Sequence, residues 1–79
     1  MEVTIYTLNN CLACKQAKEL LANCGVNFKE KNCGDRSFYR QLIAKYGSYG
    51  GMPVTVIDDY ENVQIIRGFK PKLLHTALE

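Results

Sequence analysis

Cys11 and Cys14 are separated by Leu12 and Ala13, a spacing at which two thiols can close a small disulfide ring. An apolar run, Val3-Thr4-Ile5-Tyr6-Thr7-Leu8, precedes them, and a helical pattern begins at Lys15. At the N-terminus of a helix, the unpaired amides and the positive end of the dipole favour thiolate over thiol. A thiol with a pKa near ~8.5 is about 3% ionised at pH 7 and one shifted to ~7 is half ionised, a difference of roughly 2 kcal/mol. Only the thiolate attacks a disulfide. Cys11 is nearer the strand end, more exposed and closer to the dipole, so it reads as the nucleophile. Cys14, held one turn on, reads as the thiol that resolves the mixed disulfide. Lys15 is a candidate for lowering the Cys11 pKa further, although an exposed charge is screened and contributes little.

A metal site is the competing chemistry for such a pair. Zinc would need two more ligands, and Cys24, Cys33 and His75 are the candidates. Cys24 falls on the apolar stripe of its helix and is expected to pack as a small hydrophobe. Cys33 falls in a turn and is expected to be exposed, and His75 reads as a surface residue of the last helix. No metal is therefore expected.

The elements that position the pair follow from periodicity. Residues 2–8 read as a strand ending in a turn at Asn9-Asn10, where Asn10 can cap the next helix. Ala13, Ala17, Leu20, Leu21 and Cys24 recur at helical spacing, and Gly25 supplies a left-handed C-cap. Val26 to Lys31 alternates loosely and reads as a short second strand. Asp35 can cap a second helix carrying Phe38, Tyr39, Leu42, Ile43 and Tyr46, which runs out at Gly47. Ser48 to Gly51 reads as a mobile loop whose glycines permit a close approach of backbone. Pro53 can begin the strand Val54-Thr55-Val56-Ile57 but could not sit within one. The turn Asp58 to Asn62 joins it to Val63-Gln64-Ile65-Ile66-Arg67 as a hairpin. Gly68-Phe69 leads to a last helix begun by Pro71 and carrying Leu73, Leu74, Ala77 and Leu78. The order is β-α-β-α-β-β-α, an α/β chain whose parallel first half needs helical crossovers and whose hairpin adds antiparallel strands.

Composition limits what such a chain can do. Seventy-nine residues make a single domain, residues 1–79, that buries ~60% of its unfolded surface. The net charge is +2 and 23% of residues are charged, with both signs interleaved, which is not a nucleic-acid footprint. No apolar run approaches the ~20 residues of a membrane span, and Met1-Glu2-Val3 leads into the strand without a charged leader or cleavage site. The cytoplasm is the expected location. A reducing compartment also argues against reading the four cysteines as a secreted disulfide scaffold.

Cys-x-x-Cys after the first strand, Met52-Pro53-Val54 before the third and Gly68-Phe69-Lys70-Pro71 before the last helix together resemble the glutaredoxin family. The likeness covers nearly the whole chain. It implies the thioredoxin-like, glutaredoxin-type three-layer fold, a four-stranded mixed sheet with three helices, and a monomer whose function is disulfide exchange. It also implies a cis Met52-Pro53 bond that turns the backbone of residue 52 outward beside Cys11 to pair with an extended substrate. Met52, Pro53, Gly68 and Phe69 are then the substrate-binding residues. Tyr6 is expected in the core, and Phe69 reads equally as core or docking rim.

Within the family, glutathione-using members carry an acidic Gly-Gly-Cys-Asp-Asp-like segment before the last helix and often a lysine just before the dithiol. Here Arg67-Gly68-Phe69-Lys70-Pro71 and Leu8-Asn9-Asn10 stand in those places. The chain is in this respect similar to NrdH-type redoxins, which take electrons from thioredoxin reductase and pass them to ribonucleotide reductase. Leu12-Ala13 matches the usual pair of neither group. The resemblance thus implies electron transport to protein disulfides with no cofactor beyond the redox-active disulfide. The alternatives are a glutathione-dependent glutaredoxin and a metal or iron–sulfur binding protein, the latter commonly needing glutathione as co-ligand.

Overall fold

The strand β1 (Glu2–Thr7) runs through the interior of the sheet, with β2 (Lys29–Asn32) parallel on one side and β3 (Val54–Asp58) antiparallel on the other. β4 (Val63–Arg67) closes the far edge as the second half of the β3–β4 hairpin, giving the order β2-β1-β3-β4. Three helices join and cover these strands: α1 (Leu12–Asn23), α2 (Arg36–Tyr46) and α3 (Pro71–Leu78). The computed structural model describes residues 1–47 and 51–78. Of the loop read from Ser48 to Gly51, residues 48–50 lie outside the described residues.

Side-chain alternation divides the core into two layers, because successive residues of a strand face opposite sides of the sheet. Val3, Ile5, Ile57 and Ile66 face α1 and α3, where Ala17, Leu21 and Leu74 meet them. Tyr6, Val54 and Val56 face the other way and pack with Leu42 of α2. Each buried aliphatic side chain of this kind stabilises the fold by about 1.5–3 kcal/mol relative to exposure. On α1 the buried positions Cys14, Ala17 and Leu21 lie on one face at helical spacing, and that seats the dithiol helix on β1.

The helix ends show the local chemistry that fixes them. α1 stops in a Schellman arrangement: the Gly25 amide donates to the Ala22 carbonyl (3.0 Å) and the Val26 amide to the Leu21 carbonyl (3.1 Å). Gly25 takes φ +71°, a conformation in which a side chain other than glycine is strained. At the start of α2, the Asp35 carboxylate accepts from the Ser37 amide at 2.9 Å and the Ser37 hydroxyl at 2.8 Å. Pro71 opens α3 as its first residue.

Several expected boundaries are corrected. The second strand is not Val26 to Lys31 but Lys29–Asn32. Val26 and Phe28 precede it and pack on the α1/α3 side of the core, so their apolar character reflects burial of the connection. The first helix begins at Leu12 instead of Lys15, and its N-cap is Cys11 instead of Asn10. Asn10 stands in the turn before it with φ +56°.

Candidate active site

Strand register brings the sequence candidates to one end of the sheet. Thr7 pairs with Asn32 on one side, and Tyr6 pairs with Val54, which in turn pairs with Arg67. The chain continues from these ends into Asn9 to Cys11, back to Pro53, and on to Gly68. The Gly68 amide donates to the Pro53 carbonyl at 2.8 Å, tying the residue before the last helix to the start of β3. The Met52–Pro53 bond is cis.

Cys11 is the N-cap of α1, in extended conformation, and its sulfur accepts a hydrogen bond from the Cys14 amide at 3.1 Å. One of the helix's unpaired donors is thereby aimed at the Cys11 sulfur. Cys11 and Cys14 stand at disulfide-bonding distance with Cα atoms 5.2 Å apart. Their environments differ: Cys11 is half-buried, whereas Cys14 is only 2% exposed. Leu12, between them, is 69% exposed and presents an apolar side chain beside the sulfurs.

The pair opens on a cleft of about 620 Å³ lined by Leu8, Asn10, Cys11, Leu12, Cys14 and Lys15, with Lys18, Glu30, Asn9 and Asn32 completing the wall. Sequence reasoning missed the polar half of this wall. Thr7, buried in β1, donates its hydroxyl hydrogen to Glu30 at 2.7 Å, and the Lys18 ammonium binds the same carboxylate at 3.1 and 3.3 Å. The Thr7 hydrogen bond, then the contacts from Lys18, hold the Glu30 carboxyl below the usual glutamate range against the opposing effect of partial burial. Asn32 donates to the Asn9 side chain at 2.9 Å and accepts from the Gly34 amide at 2.8 Å, bracing the turn ahead of Cys11. No periodicity marks the contacts of Thr7, Lys18 and Glu30, because they join positions on β1, α1 and β2 that only the tertiary fold brings together.

Other expectations meet a mixed outcome. Met52 is half-buried against the α2-side core and Phe69 against the α1/α3 side, so Phe69 is partly a core residue. Tyr6 is in the core at 2% exposed, with its ring edge-on to Tyr46 at 6.3 Å. Burial pushes its phenol pKa upward, helped by Tyr46 and Cys33.

The two remaining cysteines exchange their expected places. Cys24 is exposed at the C-terminus of α1, with its sulfur 3.8 Å from His75 Nδ1. Cys33 is buried in the α2-side core, its amide bonded to the Thr7 carbonyl at 2.8 Å. Burial pushes the Cys33 thiol pKa up. Among the described residues, no three His, Cys, Asp or Glu side chains are grouped to hold a metal ion, and no helix is long and apolar enough to cross a membrane.

A sulfur at a helix start, partnered by a second that is buried within bonding reach, can exchange electrons with a disulfide presented at this end of the sheet. On this fold that chemistry makes the chain a thiol–disulfide oxidoreductase. The glutaredoxin family model matches residues 3–60. A glutaredoxin-like protein NrdH of Lactococcus lactis is 31% identical over 91% of this chain and 93% of its own length. The chain belongs to the glutaredoxin family. Among solved structures, the NrdH-redoxin of Escherichia coli aligns with TM-score 0.78 at 27% identity, covering 96% of this chain and 93% of that one. The thioredoxin-like protein BC3987 aligns with TM-score 0.83 at 27% identity, covering 96% and 99%. The thioredoxin-like fold expected from the sequence is the fold observed.

Proposed function

We propose that this chain is a dithiol carrier that reduces protein disulfides, with Cys11 as nucleophile and Cys14 as resolving thiol. The observation that carries this reading is the difference between the two sulfurs. The Cys11 thiolate, helped by the Cys14 amide and the start of α1, attacks one sulfur of a substrate disulfide. The other substrate sulfur leaves with the electron pair and takes up a proton. Cys14 then loses its proton and attacks the Cys11 sulfur, releasing the second substrate thiol and leaving the Cys11–Cys14 disulfide. Two electrons from a donor dithiol restore the reduced pair, so no resident cofactor is required. Lys15, on the cleft wall, adds a small attraction for the thiolate, screened by solvent.

Substrate docking is assigned to Met52 and Pro53, with Gly68 and Phe69 beside them. Gly68 is held to Pro53 by its amide, and the backbone of the half-buried Met52 is assigned the pairing with an extended peptide. The same reading favours thioredoxin reductase over glutathione as donor, and a protein such as ribonucleotide reductase as acceptor. Arg67-Gly68-Phe69-Lys70-Pro71 supplies no acidic side chain for the amino group of glutathione. Losing two charge-assisted contacts of about 1.5–3 kcal/mol each lowers affinity by a factor on the order of 10² or more. The NrdH names of the relatives, and the thioredoxin-like activity profile stated for the E. coli NrdH-redoxin, support that choice. Such chemistry belongs in a reducing cytoplasm and asks for no second subunit.

Turnover of a protein disulfide with NADPH, measured with thioredoxin reductase in one arm and with glutathione and glutathione reductase in the other, tests the donor. Rapid NADPH oxidation in the first arm and slow oxidation in the second is expected. The opposite pattern would make the chain a glutathione-dependent glutaredoxin.

A further inference from the structure

Arg67 ends β4, in a row across the sheet in which Tyr6 pairs with Val54 and Val54 with Arg67. That row faces α2. The Arg67 guanidinium Nη2 donates to the carbonyl of Tyr46 at 2.9 Å in a partly buried contact, and Tyr46 is the last residue of α2. The next residue, Gly68, donates its amide to the Pro53 carbonyl at 2.8 Å. Consecutive residues of β4 and its exit therefore hold the point where the chain leaves α2 and the point where it enters β3.

Neither contact follows from the needs of β4 alone. An aliphatic side chain at position 67 would continue the apolar row beyond Val54 and Ile65, whereas a guanidinium there must be desolvated in part. The carbonyls of a helix's last turn have no partner within the helix and carry the negative end of its dipole. A cationic donor satisfies such a carbonyl more strongly than a neutral one. The carbonyl chosen belongs to the residue whose ring packs on Tyr6, so the contact ties the end of α2 to the same end of the sheet as the dithiol.

We propose that Arg67 is a positioning residue for protein substrates: by anchoring the Tyr46 carbonyl while Gly68 holds Pro53, it sets the end of α2 against the start of β3 and with it the backbone at Met52 that a substrate strand pairs with. This rests on the reading that Met52 and Pro53 dock protein disulfides. A disulfide too small to reach that backbone needs only the Cys11 and Cys14 thiols, and its reduction is independent of Arg67.

The test is the rate at which the pre-reduced protein is oxidised, which needs no electron donor. Wild type, Arg67→Met and Arg67→Lys are each mixed with insulin as the protein disulfide and with bis(2-hydroxyethyl) disulfide as the small one. Arg67→Met keeps an apolar stem without the donor, and Arg67→Lys restores a cationic donor. Removing one charge-assisted hydrogen bond is expected to slow the insulin reaction of Arg67→Met about tenfold, with most of the rate recovered in Arg67→Lys and the small disulfide changed by less than about twofold. Equal loss toward both disulfides, or no loss toward insulin, would overturn the proposal. If far-ultraviolet circular dichroism shows Arg67→Met unfolded, Arg67→Gln is measured in its place, with the same outcomes deciding. A wild-type protein inert to insulin but oxidised by the small disulfide would instead refute protein-disulfide docking itself.

Discussion

Thr7 and Glu30 meet across the β1–β2 boundary, the buried threonine hydroxyl donating to the carboxylate at 2.7 Å. This contact fixes the sign of one pH dependence. A carboxyl whose folded pKa lies below its unfolded value adds stability above the unfolded value and loses it as pH falls through the folded one. Glu30 is such a group. Asp35, held low by the Ser37 hydroxyl and amide, acts in the same direction. Urea midpoints measured from neutral pH to below the ordinary glutamate pKa of about 4.3 should fall less steeply in Glu30→Gln and Thr7→Val than in wild type. Parallel curves would show that the contact does not persist in solution.

Cys24 and Cys33 should separate in a simple labelling experiment. In the reduced native protein, iodoacetamide is expected to modify Cys24, which is exposed, and to spare Cys33, which is buried with its thiol pKa raised. Peptide mass spectrometry reads the result, and early labelling of Cys33 would contradict its placement.

Two substitutions, one in α1 and one just past its end, should distinguish packing from backbone conformation. Leu21→Ala removes a side chain with no exposed surface and should cost about 2–5 kcal/mol in urea unfolding. A Cβ at Gly25 meets nothing within 4 Å, so Gly25→Ala tests the left-handed conformation alone and should cost about 1–2 kcal/mol. A neutral Gly25→Ala would mean that the Schellman turn does not form.

The parts of the fold that were legible in the sequence are those in which one chemical pattern has one cause. Gly25, Asp35 and Pro71 mark helix ends because their backbone or side-chain chemistry acts locally. The hairpin of Val54 and Val63 followed from paired runs of β-branched residues around a polar turn. The second strand starts three residues later than its alternation suggests, because Val26 and Phe28 owe their apolar character to packing of the connection on the core, while pairing with β1 is confined to Lys29–Asn32. Cys24 and Cys33 were exchanged for a related reason. Position on a stripe or in a turn indicates a face, but exposure depends on where α3 ends and how closely the turn after β2 follows the sheet. The dithiol itself was legible. Its neighbours Thr7, Lys18 and Glu30, far apart in sequence, were not.

Mixed-disulfide trapping separates the roles proposed for the two sulfurs. Cys14→Ser and Cys11→Ser are each incubated, reduced, with a disulfide-bonded protein substrate and resolved by non-reducing mass spectrometry. A stable adduct through Cys11 is expected in Cys14→Ser, because attack proceeds and the resolving thiol is gone, and no adduct is expected in Cys11→Ser. An adduct through Cys14 in Cys11→Ser, with none in Cys14→Ser, would contradict those roles.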